Sequence, residues 1–591
     1  MSFLTALVIL TGSCSAFAQD LSRLDAPDSD RLRVAFPANG DTVNFNRVRY
    51  AGAVTPGADV RVQGKETRVY PSGAFVGLVD LTDGFNSIVF DVRDSLGIFS
   101  DTVVVFRPPI PKPLPEMPTA VAAGRVSPSD DVYLSPGERL EVEFWGSPKG
   151  EASFSLDKIA KNIRMFEMAS SNGTDRGHYE GSVTIPEIEG YKAKPVVFRL
   201  RGKDNRRIKF QSRGKLHILS PMIPLIGATA DSINLIRTEP EGEIWMELQE
   251  GIQLETIAEQ AGFKKVRLAD DVVGFIASNS LRPMPFGFQL PYASIGSIAT
   301  SEDDDWVKLR VNVSDRVPFH VEQILEPAAL EITFYRARLA PQWIMYPKSD
   351  ETIRTIRWRQ ESGEKFVLRI ELNQMQQWGY RGRYVGRQLL FNIRKTPRIF
   401  PAPDSLLRNL TITIDPGHGG EFEGAVSATG MLEKDVNLKY AMMVADSLKA
   451  LGARVVLTRT ADTTMTLPSR IALARDANSH IFVSLHNNSI GAATNPLRPR
   501  GTSTYYTVPQ SQEIAKYVYH RLLELGLEPF GRISSTYYVT RQTDMISFII
   551  EAVFMTHPED ELLLLDGEFL PRLAGAVVSG VKDFVSKQQK R

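Results

Sequence analysis

Four polar residues stand where chemistry could be done. His418 lies in Ile414-Asp415-Pro416-Gly417-His418-Gly419-Gly420, and His486 in Phe482-Val483-Ser484-Leu485-His486-Asn487-Asn488. Glu551 closes Ser547-Phe548-Ile549-Ile550-Glu551, and Glu433 sits in Gly430-Met431-Leu432-Glu433-Lys434-Asp435. His418, His486 and Glu551 each follow or end an apolar run of strand character. Glu433 stands just before an amphipathic helical segment. Two imidazoles and a carboxylate are the ligand set of a catalytic zinc that keeps one position open for water. A second carboxylate beside them could take that water's proton. Singly, each residue has a plainer reading: a hydrogen-bonded structural His, a turn around the glycines, a Glu favouring the positive end of its helix, a charge at a strand end. Together, at successive strand ends, they read as a metal site.

The elements that must position these groups follow from periodicity. After Pro403, apolar strands alternate with amphipathic helices. Strands are predicted over 410–414, 454–458, 481–485, 502–507 and 546–550, and helices over 436–451, 469–477, 512–525 and 571–585. This alternation implies an α/β domain over 405–588 with a largely parallel sheet covered on both faces. In such sheets active sites form beyond the carboxyl ends of the strands, where His418, His486 and Glu551 fall.

The segment from Asn409 to Val585 resembles the zinc-dependent N-acetylmuramoyl-L-alanine amidases of the type-3 family. The runs around His418 and His486 carry the likeness, with Leu432-Glu433-Lys434-Asp435-Val436-Asn437-Leu438, Val455-Val456-Leu457-Thr458-Arg459-Thr460, Leu467 and Arg470. The resemblance implies that His418, Glu433 and His486 bind Zn2+ and that Glu551 is the catalytic carboxylate. Asn487, Asn488 and Arg459 are then candidates for substrate contact. The sequence departs from the family after its last Glu: where Gly-Phe and a later Asn-Pro are usual, it reads Glu551-Ala552-Val553-Phe554-Met555-Thr556-His557-Pro558. His557 reads as a turn histidine, and His480 and His520 as structural or solvent-exposed. Some family members plug the site with an inserted helix. Here only Ser489 to Arg500 separates two strands, too short for a helix of several turns, so the expectation is a cleft not blocked in this way.

Upstream the chain reads as β modules. Short alternating runs over 31–107, such as Ser87-Ile88-Val89-Phe90-Asp91-Val92, predict an immunoglobulin-like β-sandwich. The proline-dense segment 108–123 predicts a stiff linker. A second β-sandwich is expected over 124–219, and 220–284 resembles an SH3-like module. Residues 285–400 resemble the AMIN domain that precedes many cell-wall amidases. There Arg354, Arg357, Arg359, Arg369, Arg381, Arg383 and Arg387, with Trp358, Trp378 and Tyr380, suggest either a polymer-binding face or a solvated sheet.

Composition bounds the rest. The 591 residues hold 69 Lys+Arg and 69 Asp+Glu, so no net charge drives the chain toward nucleic acid. A 43% apolar and 23% charged make-up is that of a globular chain, not a disordered one. One Cys, Cys14, excludes an internal disulfide framework. Residues 1–18 read as a secretory signal peptide cleaved after Ala18. No Lys or Arg precedes its apolar run, which suggests a true start a few residues upstream. Cys14 offers a second reading, a lipid anchor, although Thr11 stands where a lipobox prefers Leu. No later run is apolar and long enough for a transmembrane helix. The sum is an exported peptidoglycan hydrolase of periplasm or cell surface, open to an envelope activator. The alternatives are another zinc amide hydrolase acting within the stem peptide and a non-catalytic wall-binding scaffold.

Overall fold

The computed structural model describes residues 31–109, 113–169, 176–188, 190–220, 222–340, 343–349, 351–400 and 405–588. The expected signal peptide, Cys14 and linker residues 110–112 lie outside them. Among the described residues no helix is long and apolar enough to cross a membrane.

The N-terminal two-thirds is β structure. Residues 31–107 form two sheets, one of Leu32–Phe36, Arg47–Val54 and Ala74–Asp80, the other of Asp59–Val62, Lys65–Thr67, Gly84–Asp94 and Gly97–Arg107. Strict alternation is the cause: Ile88, Phe90 and Val92 point inward with Phe75 and Tyr50, while Val89 and Asp91 do not. The two sheets enclose one core.

The next two modules are less separate than the sequence suggests. The short strand Val132–Leu134 pairs in parallel with Arg207–Ile218 on one edge and antiparallel with Gln253–Gln260 on the other. One hydrogen-bonded path therefore runs from the 121–218 strands into those of 225–283. The 225–283 and 293–394 strands in turn share one core, which joins Leu254 and Leu268 to Leu309 and Phe334. Backbone pairing between strands is blind to side-chain type, so composition does not reveal such joins.

Of the aromatic residues of the Arg-rich segment, Trp358 is exposed on the strand that carries Arg354, Arg357 and Arg359, whereas Tyr380 and Trp378 are not. Arg359 and Arg369 flank Glu331 at 3.0 and 2.8 Å, and Arg354 meets Glu371 at 3.0 Å. Tyr380 is buried, and Arg381 and Arg383 belong to a different sheet from Arg354, Arg357, Arg359 and Arg369. Trp378 is fully buried in the C-terminal domain, beside His480 and Phe584. Apolar burial won over display, because Trp378 removes a large surface from water there. Around it Tyr380 N–H donates to the Thr543 carbonyl at 2.7 Å, and Gln510 N–H donates to Gln323 Oε1 at 2.8 Å.

The C-terminal domain has the expected α/β form. Its strands are β1 (Thr411–Pro416), β2 (Arg454–Leu457), β3 (Ile481–Asn488), β4 (Thr502–Tyr506), β5 (Pro529–Ser534) and β6 (Ile546–Phe554). Its helices are α1 (Glu433–Ala450), α2 (Leu467–Asp476), α3 (Gln512–Leu523), α4 (Pro558–Leu565) and α5 (Phe569–Gln588). The sheet order is β2-β1-β3-β6-β4-β5, parallel except where β4 meets β6. Strands β1, β3 and β6 are central and read as continuous apolar runs because helices cover both faces. Strand β5 and helix α4 escape the sequence pattern. The β5 segment Pro529–Ser534 carries Pro and Gly and is largely exposed, as an edge strand allows. Helix α4 is only eight residues long, with His557 as its N-cap and Pro558 at its start.

The N-terminal sandwich packs on this domain. Ala51, Tyr70, Ala74 and Val76 bury Ala428, and Arg49 N–H donates to the Ala492 carbonyl at 2.6 Å. Residues 489–500 form turns without a helix.

Candidate metal centre

Parallel pairing delivers the site. Register on β1, β3 and β6 places Asp415 opposite Ser484, Pro416 opposite Leu485, and His486 opposite Glu551. The chain leaves β1 and turns at once, so His418 comes to the same sheet edge. Its φ of 60° is left-handed, a strained state for a residue with a Cβ. The surrounding groups hold that turn. Arg470 donates to the His418 carbonyl at 2.7 Å and to the Pro416 carbonyl at 2.8 Å. Arg459 donates to the carbonyls of Pro416, Gly417 and Lys434 at 3.0, 2.9 and 2.7 Å. Beneath them, Asp415 accepts from Arg470 and Thr458 at 2.6 Å each and from Ser484 at 2.7 Å. This charge cluster is buried, and it is fully hydrogen-bonded, as a buried ion pair must be.

Glu433, the first residue of α1, is the hub. Its Oε2 lies 3.1 Å from His418 Nε2 and its Oε1 3.0 Å from His486 Nδ1. Oε1 also accepts from Asn437 Nδ2 and from the Asn487 N–H, both at 3.1 Å, and Oε2 from the Ala425 N–H at 2.8 Å. The two rings stand 4.8 Å apart, tilted by 78°. One ligand atom from each of His418, Glu433 and His486 falls within 4.8 Å of the others. Burial pushes the Glu433 carboxyl up, but hydrogen bonds from His418 and His486 outweigh it and hold the group well below the usual carboxylate range. Burial lowers His486, yet its bond to Glu433 wins and raises it to about 9. Glu551 is pushed up to about 8, first by burial, against the opposing pull of His486. Its Oε2 is buried without a hydrogen-bond partner.

Two glycines leave room for these side chains. A Cβ on Gly417 would lie 2.2 Å from His486 Cε1. A Cβ on Gly424, whose φ is 75°, would lie 2.5 Å from Glu433 Oε2 and 2.7 Å from His418 Cδ2.

The structure therefore brings His418, Glu433, His486 and Glu551 together at one sheet edge. The candidates for substrate contact are placed differently. Arg459 and Asn487 are each 3% exposed, and both are engaged within the protein. Asn487 Nδ2 donates to Asn437 Oδ1 at 2.9 Å. Asn488 is half-buried, and its Oδ1 accepts from the Ser489 N–H at 2.9 Å. Asn437 was not singled out from the sequence as a site residue, although its signal was there: it lies one helical turn after Glu433 on α1. His557 Nδ1 accepts from the Glu559 N–H at 3.2 Å and caps α4. His480 Nδ1 accepts from the Thr411 N–H at 3.1 Å, and His520 is exposed. Among the described residues a second group, Glu143, His178 and Glu180, could also gather around a cation, on the 121–218 sheet.

The donor set fits a zinc ion: two neutral-capable imidazole nitrogens, one carboxylate kept ionised, and an unpartnered carboxylate oxygen nearby. An α/β sheet with this set at its carboxyl edge is an arrangement that could support metal-assisted hydrolysis.

Residues 412–583 match the model of the family described as N-acetylmuramoyl-L-alanine amidase, type 3. The chain belongs to this family. It is 32% identical over 201 residues to the N-acetylmuramoyl-L-alanine amidase LytC of Bacillus subtilis, a match that covers 32% of this chain and 40% of LytC. It is 35% identical over 179 residues to the uncharacterized protein YqiI of the same organism, covering 29% of this chain and 84% of YqiI. Among solved structures, the N-acetylmuramoyl-L-alanine amidase AmiC2 of Nostoc punctiforme is 33% identical, covering 31% of this chain and 98% of that one, with a TM-score of 0.29.

Proposed function

We propose that this chain is an exported peptidoglycan hydrolase that cleaves the amide between N-acetylmuramic acid and the L-alanine of the stem peptide. The observation that carries the reading is the His418–Glu433–His486 donor set with Glu551 in register beside it. Membership of the amidase family supports the choice of bond. His418, Glu433 and His486 would hold a zinc ion. Bound there, zinc supplies Lewis-acid polarisation of the scissile carbonyl and acidifies the attacking water.

The chain's own residues do the rest. Glu551 takes the proton of the water as it attacks and returns it to the nitrogen of the leaving L-alanine. Its burial favours the protonated form needed for that return. Asn437, Asn487 and Ala425 fix the Glu433 carboxylate, while Arg459 and Arg470 fix the turn that carries His418. Arg459 and Asn487 are thus positioning residues, and Asn488 is left as the substrate contact. The upstream units, immunoglobulin-like, SH3-like and AMIN-like in our reading, would place this domain on the wall. The turns of 489–500 leave the cleft without a plugging helix.

The test is digestion of purified peptidoglycan by the mature chain, with and without a zinc chelator, and mass identification of the fragments. Intact stem peptides with a free L-alanine amine, lost on chelation and restored by zinc, are expected. Cleavage inside the peptide would replace this reading with a peptidase. Bound zinc with no release, even after addition of envelope proteins, would replace it with a wall-binding scaffold.

A further inference from the structure

A cleft of about 420 Å³ opens where the 121–218, 225–283 and 293–394 strands meet, lined by none of the four proposed catalytic residues. Arg336 contributes to its wall and is only 5% exposed. Its φ of 52° is left-handed, between strands Ala329–Tyr335 and Ala337–Leu339, and its carbonyl accepts from the Ala293 N–H at 2.8 Å. Nη2 donates to the Gln253 carbonyl at 2.5 Å, while Nε and Nη1 are buried with no partner. A buried guanidinium with two unpartnered nitrogens, on a left-handed backbone, is a costly arrangement.

The carboxylates nearby, Glu364 and Glu255, favour its charge through space but leave Nε and Nη1 without a hydrogen bond. Glu255 meets Arg267 at 3.2 Å, and Glu364 accepts from the Asp270 N–H at 2.7 Å. Burial lowers Arg336 to about 10 and raises Glu364, as expected of two desolvated groups that do not bond each other. Glu187 stands exposed on the same cleft. Tyr292 and Leu225, each 39% exposed, give it an apolar rim. An unsatisfied guanidinium calls for a carboxylate in forked geometry, an exposed glutamate suits an ammonium, and the rim suits a short chain between them.

We propose that this cleft binds a short peptide by its terminal carboxylate, with Arg336 as the anchor and Glu187 receiving a side-chain ammonium. The choice of ligand, the stem peptide of the wall polymer, rests on the amidase reading; the carboxylate site does not. Such a site would hold the chain on its polymer between cleavage events.

Calorimetric titration of the full chain with a soluble stem tetrapeptide carrying a diamino acid tests this, with hydrogen-exchange mapping to locate it. Saturable binding is expected, with protection at 222–225 and 288–292. Amidation of the peptide's C-terminus, or Arg336→Gln, should each weaken binding at least tenfold, and the two effects should not add. Arg336→Gln should melt no lower than the parent, because the buried charge is gone. If that variant does not fold, Glu187→Lys on the exposed wall should weaken the same peptide tenfold and leave its N-acetylated side-chain form unchanged. Equal binding of the amidated peptide, or protection only around 417–433 and 486–500, would overturn the proposal. Peptidoglycan cleavage separates the two readings. Cleavage without peptide binding here removes this site and leaves the amidase. Peptide binding here without cleavage, even after addition of envelope proteins, removes the amidase and leaves the site.

Discussion

His486 and Glu551 are register partners on adjacent parallel strands, β3 and β6. Paired residues in a sheet project to the same face, so this one relationship sets a proposed metal ligand beside the proposed proton acceptor. His486 draws the Glu551 carboxylate toward its charged form, while burial pushes it the other way.

Glu551→Gln keeps the shape of the side chain and removes its basicity. We expect one zinc per chain to remain, with turnover of peptidoglycan reduced about 10²- to 10⁴-fold, the usual range for a lost general base. Metal analysis together with amine release checks this. Loss of the metal with the activity would instead make Glu551 a ligand.

Gly417→Ala tests the packing of the turn against His486. The added methyl would lie 2.2 Å from the imidazole, far inside contact distance, so the ring must shift. Zinc affinity should fall about 10- to 100-fold, the effect usual for disturbed support of a ligand. Competition with a chelating dye measures it, and circular dichroism should show an unchanged fold.

Trp378→Ala tests how firmly the preceding β unit is joined to the α/β domain. Trp378 is fully buried in that domain's core. Its loss should cost about 3–5 kcal/mol. Calorimetry should show the α/β domain melting earlier, with zinc stoichiometry unchanged below the transition. An unshifted thermogram would mean that this contact contributes nothing.

His480 sets a pH dependence. Burial is the main cause that lowers it to about 3, with the nearby Arg394 charge adding to the effect. Below about pH 6.5 the unfolded chain binds a proton at this imidazole that the folded chain refuses until about pH 3. Stability therefore falls as pH drops through that window, by up to about 1.4 kcal/mol per pH unit from this group. His480→Gln, which still offers an acceptor to the Thr411 N–H, should flatten the slope. Urea midpoints at pH 7.5 and 5.0 compare the two proteins, and equal slopes would falsify the assignment.

Much of this was legible in the residues. The apolar runs that become β1, β3 and β6 are long enough to name as buried strands, and their chemistry-bearing ends stand out as the first polar groups after each run. Periodicity also found α1, α2, α3 and α5, because each buries one stripe. What the sequence could not rank was the use of polar groups once folded. Arg459 has the hydrogen-bonding capacity of a substrate contact, but the turn at His418 claims it; Asn487 is buried, and its side-chain amide donates to Asn437. Trp378 and Tyr380 could have been displayed; the free energy of burying large rings took them into cores instead. The edge strand β5 and the short helix α4 carry too little apolar pattern to be seen.

The sequence by itself determined an α/β domain with two histidines and two glutamates at strand ends and a row of β units before it, because hydrophobic period and strand length are local properties. Only the tertiary structure decided that Glu433 reaches both imidazoles, that Glu551 Oε2 is left without a partner, that the β units run on through Val132–Leu134 and a common core, and that two nitrogens of Arg336 are buried without a hydrogen-bond partner. Those outcomes depend on register and packing between segments tens to hundreds of residues apart, and no local pattern encodes which distant neighbour a polar group will meet.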